Sequence, residues 1–211
     1  MKKISLIIFF ICFNNLFFSN SEAKIDNVIV VKVGSLLVTS LDMREEILTY
    51  LIISNQEITQ ENINKNKNFA LKNLIKKAIK ENEINKFQIT SYSKNDLGKY
   101  IEKISNNLNI SISELKNIFK INNISYEIFI EKHKTELRWN TLIFSLYKNQ
   151  ININIVEVDN EIESVKAGQN QKELKKIKES ILNRKKEEKL NLFSRSHFSN
   201  LENSINIKFN E

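Results

Sequence analysis

Only two residues could act as imidazole bases or ligands, His133 and His197, and the chain's single cysteine is Cys12. With so few soft donors, a zinc site would need both histidines plus carboxylates, drawn from helices far apart in sequence. The simpler expectation is two solvent-facing or half-buried histidines. A nucleophile elbow G-x-S-x-G is absent, so a hydrolase triad has no local support. Glycine occurs only at Gly34, Gly98 and Gly168. No two lie close together, so no glycine-rich phosphate loop can form and no nucleotide is expected. Glu45-Glu46 and Glu187-Glu188 are neighbours on helices, point apart, and are expected on solvated faces. The basic runs Lys175-Lys176-Ile177-Lys178 and Arg184-Lys185-Lys186 have glutamates four residues away. They read as a salt-bridged outer face, with an anionic membrane or an acidic polypeptide as the functional alternative. The expectation is therefore no catalytic residue, no metal and no cofactor. What remains is apolar recognition. Tyr126, Phe129, Trp139, Phe144 and Tyr147 lie on one helix and spread around much of its circumference, more than one buried face needs. Most should be core. Some are expected to line an apolar groove for an extended polypeptide, and these five are the candidate substrate-binding residues.

The elements that would position them are mostly helical. The 211 residues contain no proline and three glycines, which argues against turn-rich β folds. At 41% apolar and 27% charged the chain is not of disordered composition. Ile, Asn and Lys contribute 33, 31 and 28 residues. All three have AT-rich codons, so the lysine excess and the asparagine pairs are weak functional evidence. Val28–Val33, the turn Gly34-Ser35 and Leu36–Val38 predict a hairpin. Thr39 or Ser40 caps a helix running to about Ser54, and Asn55–Lys67 reads as a polar loop. A helix over about 65–86 carries Leu71, Leu74, Ile75, Ala78 and Ile79 at helical spacing. Ser93, Ser111 with Glu114, and Ser125 cap three more helices, the last reaching about Lys148. Ile151–Val158 alternates and reads as extended, and Asp159 is expected to cap a short helix over 160–166. A final helix covers about 172–200, and Ser204–Phe209 reads as a terminal strand. The plan is mainly α, with about six helices and a small antiparallel β element formed by the N-terminal hairpin and the C-terminal strand. A lone hairpin is marginal in water, so pairing with the terminal strand is expected from need.

Residues 1–23 have the composition of a signal peptide. Lys2-Lys3 precede an apolar run from Ile4 to Phe18, broken by Asn14-Asn15. Ser21 and Ala23 then fit a cleavage site before Lys24. The apolar run is short of the roughly 20 continuous residues of a membrane span. Export to the periplasm is the expectation, with an uncleaved anchor as the alternative. The formal charge of +7 favours acidic partners, and export makes nucleic acid a poor candidate.

The order of these segments resembles the periplasmic chaperones of the SurA type. Val28-Ile29-Val30-Val31-Lys32-Val33-Gly34 and Leu37-Val38-Thr39-Ser40-Leu41-Asp42 resemble the strand, turn, strand and helix start that open that family. Ala70-Leu71-Lys72-Asn73-Leu74-Ile75 resembles its next helix. Asn109–Leu115 and Ile124–Phe129 resemble the two helix starts that follow. Val158-Asp159-Asn160-Glu161-Ile162, then Ile181–Leu201 with Ile205-Asn206-Ile207, resemble its closing segments. Where the family inserts parvulin prolyl-isomerase domains, this chain has only about Val165–Lys172, too short and too poor in glycine for one. The resemblance thus implies the chaperone core without the isomerase. It implies a signal peptide over 1–23, a SurA-like N-terminal domain over 24–168, and a C-terminal helix and strand over 169–211 that pack back on it. It also implies an ATP-independent holdase, not an enzyme, that binds unfolded outer-membrane proteins in the periplasm, with the outer-membrane assembly machinery as a further partner. The alternative is a non-catalytic envelope scaffold or membrane-anchored interaction protein.

Overall fold

The computed structural model describes residues 27–165, 168 and 170–210. Residues 1–23, the expected signal peptide with Cys12, lie outside the described residues. Strand β1 (Ile29–Val33) and β2 (Leu36–Thr39) form the hairpin. Helices follow as α1 (Ser40–Ile53), α2 (Gln60–Lys86), α3 (Lys94–Asn107), α4 (Ile112–Ile121) and α5 (Tyr126–Tyr147). A short 3-10 turn precedes α6 (Ile155–Val165), then come α7 (Gln171–Ser204) and β3 (Ile207–Phe209). The described residues hold seven helices, where about six were expected.

The sheet order is β2-β1-β3, all antiparallel, so the C-terminal strand does cover the free edge of β1. Period-2 alternation puts Val31, Val33 and Val38 on one face. That face is buried against Ala78 and Ile79 of α2, with Phe198 and Leu201 of α7 and Ile205 beside it. Gly34 turns the hairpin at φ +58, and a Cβ there would meet Asn82 Oδ1 at 2.9 Å. Asn82 staples the turn to α2: it accepts from Ser35 N at 3.2 Å and donates to the Val33 carbonyl at 3.0 Å.

Helix α1 is central. Ile47, Leu51 and Ala70 join it to α2. Leu48 and Ile52 join it to Ile104, Leu115, Phe119, Ile124 and Phe129 of the α3–α5 layer. A further cluster of Ile84, Trp139, Leu142 and Ile143 ties α2 to α5, with Leu190, Phe198 and Leu201 of α7 packed against it. The caps form where the sequence places them. Thr39 and Asp42 make a capping box at α1, Ser111 and Glu114 make one at α4, and Ser93 and Ser125 cap α3 and α5.

The helix ends follow a rule the composition concealed. Asn55, Gln88, Asn109 and Asn123 adopt left-handed backbone just after α1, α2, α3 and α4. In each case the next amide reaches back across the last turn, as in Gln56 N to Leu51 O at 2.8 Å and Ile124 N to Phe119 O at 3.0 Å. These are Schellman closures, which usually use glycine. In this glycine-poor chain, asparagine takes the role three times, because its short polar side chain tolerates the left-handed region better than most.

Five expectations are corrected. Helix α2 starts at Gln60, inside the stretch expected to be loop. Thr59 caps it by accepting from Asn62 N, and Ile63 is already packed on the core. Residues 155–158 are helical, where an extended segment was expected. Among the described residues no sheet edge is paired with this segment, whereas a helix lets Val158 bury completely, with Lys178 and Lys185 of α7 reaching Asp159 and Glu157. Asp159 therefore sits inside α6 as an ion-pair partner, and Asn154 accepts from Val156 N at the helix start. The terminal strand is only Ile207–Phe209, because α7 continues to Ser204. Finally, Glu45 and Glu46 are buried, not solvated. They do point apart, but both directions lead into protein. Glu45 accepts from Ser125 N at 3.1 Å, placing a carboxylate on the positive end of α5. Glu46 accepts from Lys132 Nζ at 2.6 Å and from Asn73 Nδ2 at 3.0 Å. Glu187 and Glu188 are exposed, as expected.

Candidate functional site

An open apolar groove of about 590 Å³ lies beside the start of α1. Met43, Ile47 and Leu48 of α1 form its floor, with Val30 of β1, Ile63 of α2 and Ile58 of the preceding loop. Ser40, Arg44, Lys67 and Asn122 stand among the lining residues as its polar members. Local structure fixes each wall. The Thr39–Asp42 box sets where α1 begins and hence where Met43 points. Asn62 Nδ2 donates to the Glu57 carbonyl at 2.8 Å, holding the short loop that presents Ile58. Arg44 donates to the Asn123 and Asn122 carbonyls at 3.1 and 3.3 Å. These carbonyls close α4, where a cation is favoured. The same contact pins the α4–α5 corner to the groove. Ile58 is 39% exposed, so apolar surface faces outward here. Met43 is the only methionine besides Met1, and its flexible thioether side chain suits variable apolar partners. The groove holds shape and apolar area but no acid–base pair.

Comparison with known proteins adds little. No family model matches the chain, and no curated protein matches it. Among solved structures it is similar to a chain from Campylobacter jejuni, from a study of the virulence factor PEB4 and the periplasmic protein Cj1289 as two structurally related SurA-like chaperones. The identity is 15%, the match covers 88% of this chain and 100% of that chain, and the TM-score is 0.42. A likeness of that size is weak.

The five aromatic residues of α5 do not form one surface, and only Tyr126 and Phe129 meet, with ring centres 5.7 Å apart. Phe129 is buried among Phe119, Tyr126 and Tyr100, inside the α3–α5 layer. Trp139 is 2% exposed, its indole N–H donating to Ser194 Oγ of α7 at 2.8 Å. Neither offers a face to a ligand. Tyr147 is half-buried, stacked on Phe193 with its hydroxyl 2.9 Å from His197 Nδ1. Phe144 is exposed. Tyr126 lines a separate, polar depression with Lys116, Lys120 and Lys134, and Lys116 Nζ lies 5.3 Å from its ring centre. Burial, then the nearby Glu127 carboxylate, pushes the Tyr126 hydroxyl up from its usual pKa.

The groove residues were missed in the sequence. Met43, Ile47 and Leu48 fall within the helix expected up to about Ser54, where nothing marked them as binding residues. Ile58 and Ile63 sit in the segment taken for polar loop. Isolated isoleucines in a polar run were the available signal.

Both histidines serve the helix packing. His197 Nε2 lies 3.3 Å from Glu83 Oε1, though not aligned for a hydrogen bond. His133 stacks flat on Tyr100, ring centres 3.3 Å apart. Burial lowers the His133 pKa; Glu136 opposes the shift and Lys132 adds to it. The unfolded chain, with an imidazole near the usual value of about 6.5, thus takes up its proton before the folded chain does. This contribution is complete above that value and is lost as pH falls through the folded-state pKa. The melting temperature should therefore drop between pH 7.5 and 5.5, and His133→Gln should flatten that part of the profile. Equal slopes in the two proteins would assign the pH dependence elsewhere.

Proposed function

We propose that the chain is a nucleotide-independent periplasmic holdase that keeps unfolded outer-membrane proteins from aggregating in transit. The observation that carries this reading is the apolar groove of Val30, Met43, Ile47, Leu48, Ile58 and Ile63, open and rimmed by basic side chains. Unfolded outer-membrane strands alternate apolar and polar residues and aggregate when unpaired. A holdase works by binding that unfolded state. It needs accessible apolar surface on a stable frame and no bond-making group. The sequence resemblance to SurA-type chaperones supports the same role, the periplasmic location and the outer-membrane assembly machinery as a recipient. In this reading 24–168 is the binding module and 169–211 is a clasp that holds the sheet and α5 in place. Of the five aromatic residues first singled out, the exposed Phe144 and the half-buried Tyr126 and Tyr147 keep surface to offer a client.

The test is suppression of aggregation of a urea-diluted outer-membrane β-barrel protein by residues 24–211, without nucleotide. Suppression near equimolar ratio is expected, and a basic protein of similar charge should give none. Met43→Gln combined with Ile58→Gln removes apolar surface at two partly exposed groove positions and should weaken suppression while leaving the circular dichroism spectrum unchanged. If the wild-type chain does not suppress aggregation, the scaffold alternative takes its place.

A further inference from the structure

The charge around the groove says more about its occupant. Its lining includes two cations, Arg44 and Lys67, and no carboxylate. The guanidinium of Arg44 is already engaged with the carbonyls of Asn122 and Asn123. Lys67 is different. Four of the seven lysines of α2 are ion-paired, Lys65 with Glu61, Lys77 with Glu81, Lys80 with Glu136 and Lys86 with Glu83, and of the other three, Lys67, Lys72 and Lys76, only Lys67 lines the groove. The exposed Lys67 has no hydrogen-bond, ion-pair or ring partner among the described residues. The acids close in sequence are committed or stand outside the lining. Asp42 is held in the capping box at α1, and Glu61 is taken by Lys65. Glu57 is exposed and does not line the groove. The N-terminal turn of α2, which supplies Ile63, adds the positive end of its helix dipole on the same side.

We infer that the groove selects apolar polypeptide segments that carry a carboxylate next to their apolar side chains, with Lys67 as the residue that reads the charge. The inference rests on the holdase reading and names its preferred client chemistry. A groove of about 590 Å³ falls within the range of ligand pockets and has room for a few large side chains. The apolar floor would hold those side chains without fixing their identity. A carboxylate one or two residues along would reach the free ammonium group at the rim. Such rim charges contribute modestly to affinity and more to choice of partner. The selectivity should therefore be partial, as a protein serving many clients requires.

The experiment uses two short dansyl-labelled peptides of Leu, Phe and Val that differ only by Asp or Lys at the centre. They are titrated against residues 24–211 at low and at physiological ionic strength. The Asp peptide should bind about fivefold tighter at low salt, with the ratio shrinking as salt rises. Lys67→Glu is at an exposed position, should fold normally, and should reverse the preference. Equal binding of both peptides, or a preference unchanged in Lys67→Glu, overturns the inference. So does binding of decanoate at the groove with no binding of either peptide, since the occupant would then be an anionic amphiphile. Aggregation suppression is measured on the same samples. Suppression that survives loss of charge preference leaves the holdase reading standing, whereas absent suppression by the wild-type chain marks the failure of that reading itself.

Discussion

Trp139→Ala is expected to destabilise the protein by about 3–5 kcal/mol, the usual cost of removing a buried indole. Trp139 is 2% exposed and fills the junction of three helices. It packs with Ile84 of α2 and with Leu142 and Ile143 of α5, and Phe198 of α7 meets its edge at 6.3 Å between centres. Its N–H also links α5 to α7 through Ser194. Alanine would leave a cavity bounded by elements that cannot all move inward together, because α2 is simultaneously held by the sheet. For a chain of this size each kcal/mol shifts the midpoint by about 2–4 °C. A fall of roughly 6–20 °C in the melting temperature, followed by circular dichroism, is the expected result. Phe144→Ala, five residues along the same helix, removes a side chain that is 52% exposed and should change stability by less than about 0.5 kcal/mol. The contrast matters for any map of client binding. Lost activity in the Trp139 variant would report a loosened frame, while lost activity in the Phe144 variant would report lost contact. A Trp139→Ala protein melting within 3 °C of wild type, within about 1 kcal/mol, would mean that α7 is not docked as described.

What was legible in the sequence was what neighbouring residues decide among themselves. Thr39 with Asp42, Ser111 with Glu114, and the serines at 93 and 125 are local chemistry, and all four caps form. The hairpin and its antiparallel third strand follow from alternation and from the need to cover an edge. What was not legible depends on partners distant in sequence. Glu45 is buried because Ser125, 80 residues away, offers it a helix N-terminus. Glu46 is buried because Lys132 and Asn73 converge on it from two other helices. Adjacent glutamates look alike whether such partners exist or not. The valines and isoleucines near 155 favour a strand intrinsically, and the packing of α6 on α7, with Val158 fully buried, overrides that preference. The asparagine closures were hidden differently. The local signal was present, but asparagine is so frequent in this chain that its position carried no contrast. The aromatic residues of α5 divide for a related reason. Wide spread around a helix left open which of them face outward, and because α5 is surrounded by α2, α3, α4 and α7, Phe129 and Trp139 are enclosed on different sides. The groove instead lies where three elements meet, and only the tertiary fold brings Val30, Met43 and Ile58 together.

Deleting Ser204–Glu211 is the second change with a large expected effect, because it acts on the sheet and on the groove at once. β3 supplies partners for Val31, Lys32 and Val33. Backbone bonds beyond the ladder, Gly34 N to the Asn206 carbonyl at 2.9 Å and Asn210 N to the Val30 carbonyl at 3.0 Å, close both ends of the pairing. Ile205 and Ile207 pack against the valine face of the sheet. Losing two partly buried isoleucines should cost about 2–3 kcal/mol from apolar burial alone. The two strands left behind would form a hairpin of marginal stability with an open edge. A fall of roughly 4–12 °C in the melting temperature is expected, with greater self-association through β1. Ile207→Asp keeps the chain length and should reproduce most of the thermal effect, which separates loss of packing from loss of a tail. Val30 belongs both to β1 and to the groove wall, so loosening β1 disturbs the binding surface directly. The truncated protein should therefore suppress aggregation poorly even at temperatures where its helices remain folded. An unchanged melting temperature would show that the hairpin holds without its third strand. The C-terminal segment could then have no part in shaping the groove, and α7 alone would have to anchor the sheet to the helices.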